Sequence, residues 1–271
     1  MSNLYIRILT AIIFAAIALW FTWLGGWIFA IFSWGIGAAV FYEWQSLTVN
    51  DVNFTVKAIA WLIYCLTAVA FTLFFPAYSL FIFLFAAFLI LVVLSLYNKV
   101  QLATGFLYAA LPSAALTFLR GDTVVGFDTV LFLFAVVWGT DIGAYFSGRT
   151  FQGPKLAPFI SPNKTWSGAI GGAIIGILCG EFIIYLFING AFANIITIGL
   201  ALAISIVSQF GDIFESWIKR RYKAKDSSNL LPGHGGFMDR VDGLVFAAIL
   251  LYLIGVALGN SLFPSAVFNL F

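Results

Sequence analysis

The stretch SQFGDIFESWIKRRYKAKDSSNLLPGHGGFMDRVDG, Ser208 to Gly243, holds six of the chain's thirteen Lys+Arg, five of its eleven Asp+Glu and its single histidine. Apolar sequence runs up to it and away from it. It therefore reads as a helix end, a polar loop and a helix start at one surface of a membrane. At the helix end Asp212, Ser216 and Lys219, or Glu215 and Lys219, share a face by their helical spacing. The strip from Lys219 to Asp226 carries Arg220, Arg221, Lys223 and Lys225 and suits a polyanion. Pro232-Gly233-His234-Gly235-Gly236 is a turn whose glycines permit positive φ and close approach to a ligand. Asp239 and Asp242 then lie three apart near the start of the next helix, with Arg240 between them.

Carboxylates, cations and a Gly-rich turn together suit Mg²⁺-assisted phosphoryl chemistry. The acids hold a hard cation, the bases neutralise phosphate oxygens and turn N–H groups bind the remainder. A solvated juxtamembrane loop facing anionic lipid explains the basic strip equally well. It does not explain paired carboxylates at the mouth of an apolar helix.

With 63% hydrophobic and 9% charged residues and a mean hydropathy of +1.07, the chain lies outside the range of soluble domains, where about 25% of residues are charged. Cys65 and Cys179 sit in apolar runs and read as small buried residues rather than a disulfide or metal pair. The apolar run from Ile8 to Leu24 reads as a retained first span, with no internal repeat and no soluble extension expected at either end.

The expected fold is an all-α integral membrane protein of about nine spans, near 6–24, 27–46, 57–74, 77–97, 103–119, 127–147, 167–188, 193–214 and 241–259. Residues 1–120 would form a scaffold of five spans, and 121–271 a catalytic region with cytoplasmic loops at 148–166 and 215–240. Charge checks the count. One side receives Arg7, Lys57, Lys99, Arg149, Lys155, Lys164 and the six cations of the opening stretch; the other receives Arg120 alone. The richer side is cytoplasmic, which puts the N-terminus inside and the C-terminus outside. Trp20, Trp23, Trp27 and Trp61 read as interface anchors. Glu43 reads as an interfacial carboxylate reaching water or as a partner for an active-site cation, and Arg120 with Asp122 as a loop pair.

A second polar cluster begins in the sixth span. Asp141 lies inside the hydrocarbon, where a lone carboxylate costs about 2.5–3.5 kcal/mol and so faces a polar cavity or a neutralising neighbour. The loop to the seventh span carries Lys155, Ser161-Pro162, Lys164 and Thr165. Ser161-Pro162 reads as an N-cap and first turn, whose free N–H groups would take an anion. Gly168, Gly172, Gly176 and Gly180 form a small-residue seam for close packing, within the chain or between two copies. Glu181, beyond it, reads as a buried hydrogen-bonding group or a subunit contact. Asp141, Asp212, Asp239 and Asp242 are expected at one depth.

The string Ser216-x-Ile218-Lys219-Arg220-x4-Lys225-Asp226-x-Ser228-x2-Leu231-Pro232-x-His234-Gly235-Gly236-Phe237-x-Asp239-Arg240-Val241-Asp242 resembles the signature of phosphatidate cytidylyltransferases. Residues 141–149 and 155–168 resemble a second pattern of that family, D-x-G-A-Y-x-x-G-R…K-L-A-P-x-I-S-P-K-K-T-x-E-G, departing from it at Asn163 and Ser167. The resemblance implies a multi-pass enzyme of the inner cell membrane that condenses CTP with phosphatidic acid, with the bilayer and no nucleic acid as partner. It also implies Mg²⁺ with a second cation. Asp212, Asp239 and Asp242 would hold metal, with Lys219 and Arg240 also catalytic. Asp141, Lys155, Ser161, Lys164, Thr165, Ser216, Arg220, Lys225, Asp226, His234, Gly235 and Gly236 would line the substrates.

A CTP-dependent polyprenol kinase would share parts of this site but not the whole string. CDP-alcohol phosphotransferases carry an Asp-Gly…Ala-Arg run that is missing here. A secondary transporter would place its charges near the midplane in two repeated halves, and these lie at one face.

Overall fold

The structure is a computed structural model that describes residues 3–49, 52–74, 76, 79–98, 100–189, 194–228, 230, 235–258 and 265, the side chains of 3–8 and 188–189 excepted. His234 lies outside the described residues.

Nine α-helices make up the described chain: α1 (Asn3–Leu24), α2 (Gly26–Thr48), α3 (Phe54–Leu73), α4 (Ser79–Asn98), α5 (Leu102–Arg120), α6 (Val124–Phe151), α7 (Trp166–Ile184, followed by one π turn), α8 (Ile195–Arg221) and α9 (Met238–Leu258). Each matches one expected span. Eight are long and apolar enough to cross a membrane, and α1 counts as a shorter apolar helix over Leu9–Leu24. The protein is an all-α integral membrane protein. The helices α6 and α8 run past their expected ends at 147 and 214, because polar turns continue the helical hydrogen bonding beyond the apolar stretch.

The helix α5 is the axis of the bundle. Its run of Ala, Gly and Ser lets neighbours approach closely, and nearly all of it is buried against α2 and α9. Side-chain-to-carbonyl hydrogen bonds tie helices together at the two ends of α5. At one, Arg120 closes α5 onto α1: its guanidinium donates to the carbonyls of Thr22, Trp23 (3.2 Å), Gly121 (3.2 Å) and Thr123 (3.0 Å). Arg120 lies within electrostatic range of Asp122, its expected loop partner, and also serves the orphan carbonyls at the end of α1. At the other end Trp44 Nε1 donates to Gln101 O (3.0 Å), and the polar loops gather there.

The glycine seam packs within the chain. A Cβ at Gly172 would meet the Thr140 carbonyl and Ala144, and one at Gly180 would meet Val136 and Phe132, so α7 lies backbone to backbone on α6. The face of α7 with Ile170, Ile174, Leu178 and Phe182 is exposed. Cys65 is exposed too, on the outer face of α3, contrary to the buried position expected for it; both cysteines are free. In a bilayer an apolar face needs no protein cover, so an apolar run does not distinguish lipid contact from core.

Residues 155–165 form a hairpin that the sequence reading missed. Strand β1 (Lys155–Ala157) pairs antiparallel with β2 (Ser161–Thr165). Ser161 is therefore not the cap of α7. Pro162 disfavours the helical region for the residue before it, and the cap is Thr165, whose Oγ1 accepts from Gly168 N (3.2 Å).

Candidate active site

The antiparallel pair α8–α9 carries two polar layers about one helical turn apart. In the upper layer Lys219 of α8 is ion-paired with Glu215 one turn before it (2.6 Å) and with Asp239 of α9. Asp239 also accepts from Ser227 N (3.1 Å), Ser227 Oγ (3.1 Å) and Gly236 N (2.8 Å). Both of its oxygens are therefore held. Lys219 and Glu215 are nearly closed off from the surface, at 12% and 1% side-chain exposure, so the lysine is a clamp between helices rather than a free surface cation.

In the lower layer Asp212 is ion-paired with Lys164 of the hairpin. Asp242 lies where α9 crosses closest to Gly211: a Cβ there would meet the Asp242 carbonyl. One Asp242 oxygen accepts from Gly243 N (2.8 Å). Asp141 of α6 is within electrostatic range of Asp212, Lys164 and Arg240, and Asp242 within range of Asp212, Glu215 and Asp141. Three of the four aspartates expected together, Asp141, Asp212 and Asp242, are thus within electrostatic range of one another. Thr140 bonds Ser205 of α8 (2.8 Å), about two turns before Asp212. Asp239 stands apart from the other three aspartates in the upper layer, on Lys219. Among the described residues no three His, Cys, Asp or Glu side chains form a ready-made metal cage.

The remaining candidates lie around these layers. Lys155, Arg220, Lys225, Asp226 and Arg240 are exposed, and Ser161 and Ser216 are half-buried. Arg220 donates to Ala224 O (3.2 Å) at the C-terminus of α8. Thr165 is buried as the helix cap, beside Ser167 (3.1 Å). The Ser167 hydroxyl donates in turn to the Gln152 carbonyl, closing the hairpin's base. Gly235 has φ 81°, a left-handed conformation that favours glycine. At Gly236 the reason is space: a Cβ would meet Ser227 Oγ and both carboxylate oxygens of Glu43. These two glycines fit the loop against protein carboxylates.

Glu43, Glu215 and Tyr108 are the residues that sequence reasoning left out of the site. Tyr108 of α5 packs against Trp44, Phe214 and Phe246. Its hydroxyl is buried, has no hydrogen-bond partner and lies within electrostatic range of Asp242, Glu215, Asp212 and Asp239. Glu43 neither reaches water nor pairs with a cation; it accepts hydrogen bonds at the start of α9. The Glu215 signal was legible as its spacing of four from Lys219. For Glu43 and Tyr108 no local pattern existed. Glu181 is buried, and neither of its oxygens has a hydrogen-bond partner in the described structure.

The profile of the cytidylyltransferase family matches residues 5–258, which takes in both polar layers and the hairpin. The chain belongs to the cytidylyltransferase family. Among curated cytidylyltransferases, the phosphatidate cytidylyltransferase of Brucella suis is 48% identical over 269 residues, 99% of each chain. That of Rickettsia bellii is 38% identical over 162 residues, covering 56% of this chain and 68% of its own. That of Haemophilus influenzae is 42% identical over 135 residues, covering 46% and 45%.

Proposed function

We propose that the chain transfers the cytidylyl group of CTP to phosphatidic acid, giving CDP-diacylglycerol and pyrophosphate, at the cytoplasmic face of a cell membrane. The observation that carries this reading is end-to-end similarity to curated enzymes of that name, at 48% identity over 99% of the chain. The lipid phosphate, already an anion, attacks the α-phosphorus of CTP. A phosphorus–oxygen bond forms, the α–β anhydride bond breaks and its electron pair leaves on pyrophosphate. No strong general base is required. The barrier is repulsion between anions together with charge on the leaving group.

The exposed cations Lys155, Arg220, Lys225 and Arg240 ring the acidic layers and suit the triphosphate and the lipid phosphate. Lys164, on Asp212, is placed to exchange that carboxylate for a phosphate oxygen. Asp212 and Asp242, with Asp141 within electrostatic range of both, supply carboxylate oxygens of the kind that Mg²⁺ takes, an ion commonly held by one or two carboxylates plus phosphate oxygens and water. Asp239, with both oxygens occupied, orders Lys219 and the loop. When bound, the ion neutralises phosphate charge and polarises the reacting phosphoryl group. Purified protein in neutral detergent is expected to release pyrophosphate only when CTP and phosphatidic acid are both present; release with CTP alone, or none with both, overturns the reading.

Sidedness follows from the basic residues, twelve of which fall on the side of the polar loops and one, Arg120, opposite. A reporter fused after Phe271 reads external and one in the 149–165 loop internal. Both on one side would refute the orientation.

A further inference from the structure

Glu43 is a buried carboxylate with four donors, as many contacts as Asp239 makes. It sits near the end of α2, in the half of the chain without the family's signature, and is 0% exposed. Oε2 accepts from Ser227 Oγ (2.9 Å) and Met238 N (2.6 Å); Oε1 accepts from Ser228 Oγ (2.5 Å) and Phe237 N (2.7 Å). Two donors are backbone N–H groups at the start of α9, which lack intrahelical acceptors. A negative charge there also complements the helix dipole. The other two are hydroxyls of the loop that joins α8 to α9.

The next link leads into the candidate active site. Ser227 Oγ lies within hydrogen-bond distance of Glu43 and of Asp239, and one hydroxyl proton serves one carboxylate at a time. Ser227 N donates to Asp239 regardless. Asp239 in turn holds Lys219. A chain of charge-assisted contacts thus runs Glu43–Ser227–Asp239–Lys219–Glu215, from α2 through the loop to α9 and α8. Gly236 leaves no room between Ser227 and Glu43 for a side chain, so the spacing of this chain is set closely.

We propose that Glu43 is a positioning residue for nucleotidyl transfer: it fixes the first turn of α9 and the Ser227–Ser228 loop, and through them the direction of Asp239 and Lys219. This rests on the cytidylyl-transfer reading of the site. Glu43 touches no substrate. Its influence is on the transition-state arrangement rather than on capture of CTP, so its loss appears in kcat and not in KM.

The test is Glu43→Gln in the full-length protein. The amide keeps the size but turns one acceptor oxygen into a donor that faces a hydroxyl and an N–H. Turnover is expected to fall about 100-fold, with the KM for CTP within about twofold, and Glu43→Asp is expected to recover part of the loss. Hydrogen exchange of the 226–240 peptide should quicken while peptides of α5 and α6 stay protected. That arm does not depend on the identity of the substrate, so it separates failure of this proposal from failure of the functional reading. Wild-type turnover in Glu43→Gln overturns the proposal. So does unchanged exchange at 226–240, and so does an equal loss in a variant of Arg120, at the opposite end, matched for thermal stability. Should Glu43→Gln fail to fold, Ser228→Ala removes one donor and carries the test: a severalfold drop in kcat supports the proposal, and wild-type kcat overturns it.

Discussion

Asp239→Asn is expected to abolish measurable turnover, a loss of about 10³-fold, in a protein that still folds and inserts. The structure separates the two effects. Asp239 accepts from Ser227 N, Ser227 Oγ and Gly236 N on one oxygen, with Lys219 on the other. An amide oxygen can keep the first three contacts, and its NH₂ group then points at the ammonium. Lys219 retains Glu215 at 2.6 Å, so no isolated buried cation remains and the helix pair stays closed. What disappears is the negative charge that aims Lys219. Pyrophosphate release is measured at matched protein levels, with thermal unfolding as the control. Activity within severalfold of wild type would remove Asp239 from the machinery.

Lys219→Gln is the second large effect, and its comparison with Lys225→Gln is the informative part. Lys219 is in contact with two carboxylates, one of them 1% exposed. Removing one partner of a buried ion pair costs about 3–5 kcal/mol. Lys219→Gln is therefore expected to lower the melting temperature by several degrees and to reduce turnover at least 100-fold. Lys225 is exposed and has no such role in packing. Lys225→Gln is expected to leave stability unchanged and to raise the KM for CTP severalfold, as loss of a phosphate contact would. Neutral micelles remove the attraction of an anionic surface, worth about 1 kcal/mol per charge, from the comparison. Unchanged CTP kinetics in Lys225→Gln would assign the exposed strip to the membrane surface, and wild-type stability in Lys219→Gln would contradict the buried clamp.

These expectations show which parts of the site could be read from sequence. The helix count was legible because spans of about 20 apolar residues have few alternatives in a bilayer. Partners three or four apart on one helix were legible too: Glu215 with Lys219 is such a pair. Contacts between helices were not. Glu43 meets its donors across 184 to 195 residues, and Tyr108 reaches the acidic layers from a helix that reads as scaffold. The hairpin at 155–165 was hidden for a local reason. Ser-Pro resembles a helix start, but Thr165 caps the helix better once Ser161 and Pro162 are extended. Cys65 was misplaced because membrane helices are apolar on every face.

The long reach of Glu43 also bears on how the protein is made. Its backbone donors, Phe237 and Met238, follow it by 194 and 195 residues. At synthesis rates of about 5–20 residues per second, Glu43 waits about 10–40 s before they emerge. Over nearly all of that interval its carboxylate has none of its four donors. Docking of α9 supplies its two N–H donors and completes the chain of contacts. A polypeptide ending before Phe237 would lack these donors together with Asp239, Arg240 and Asp242.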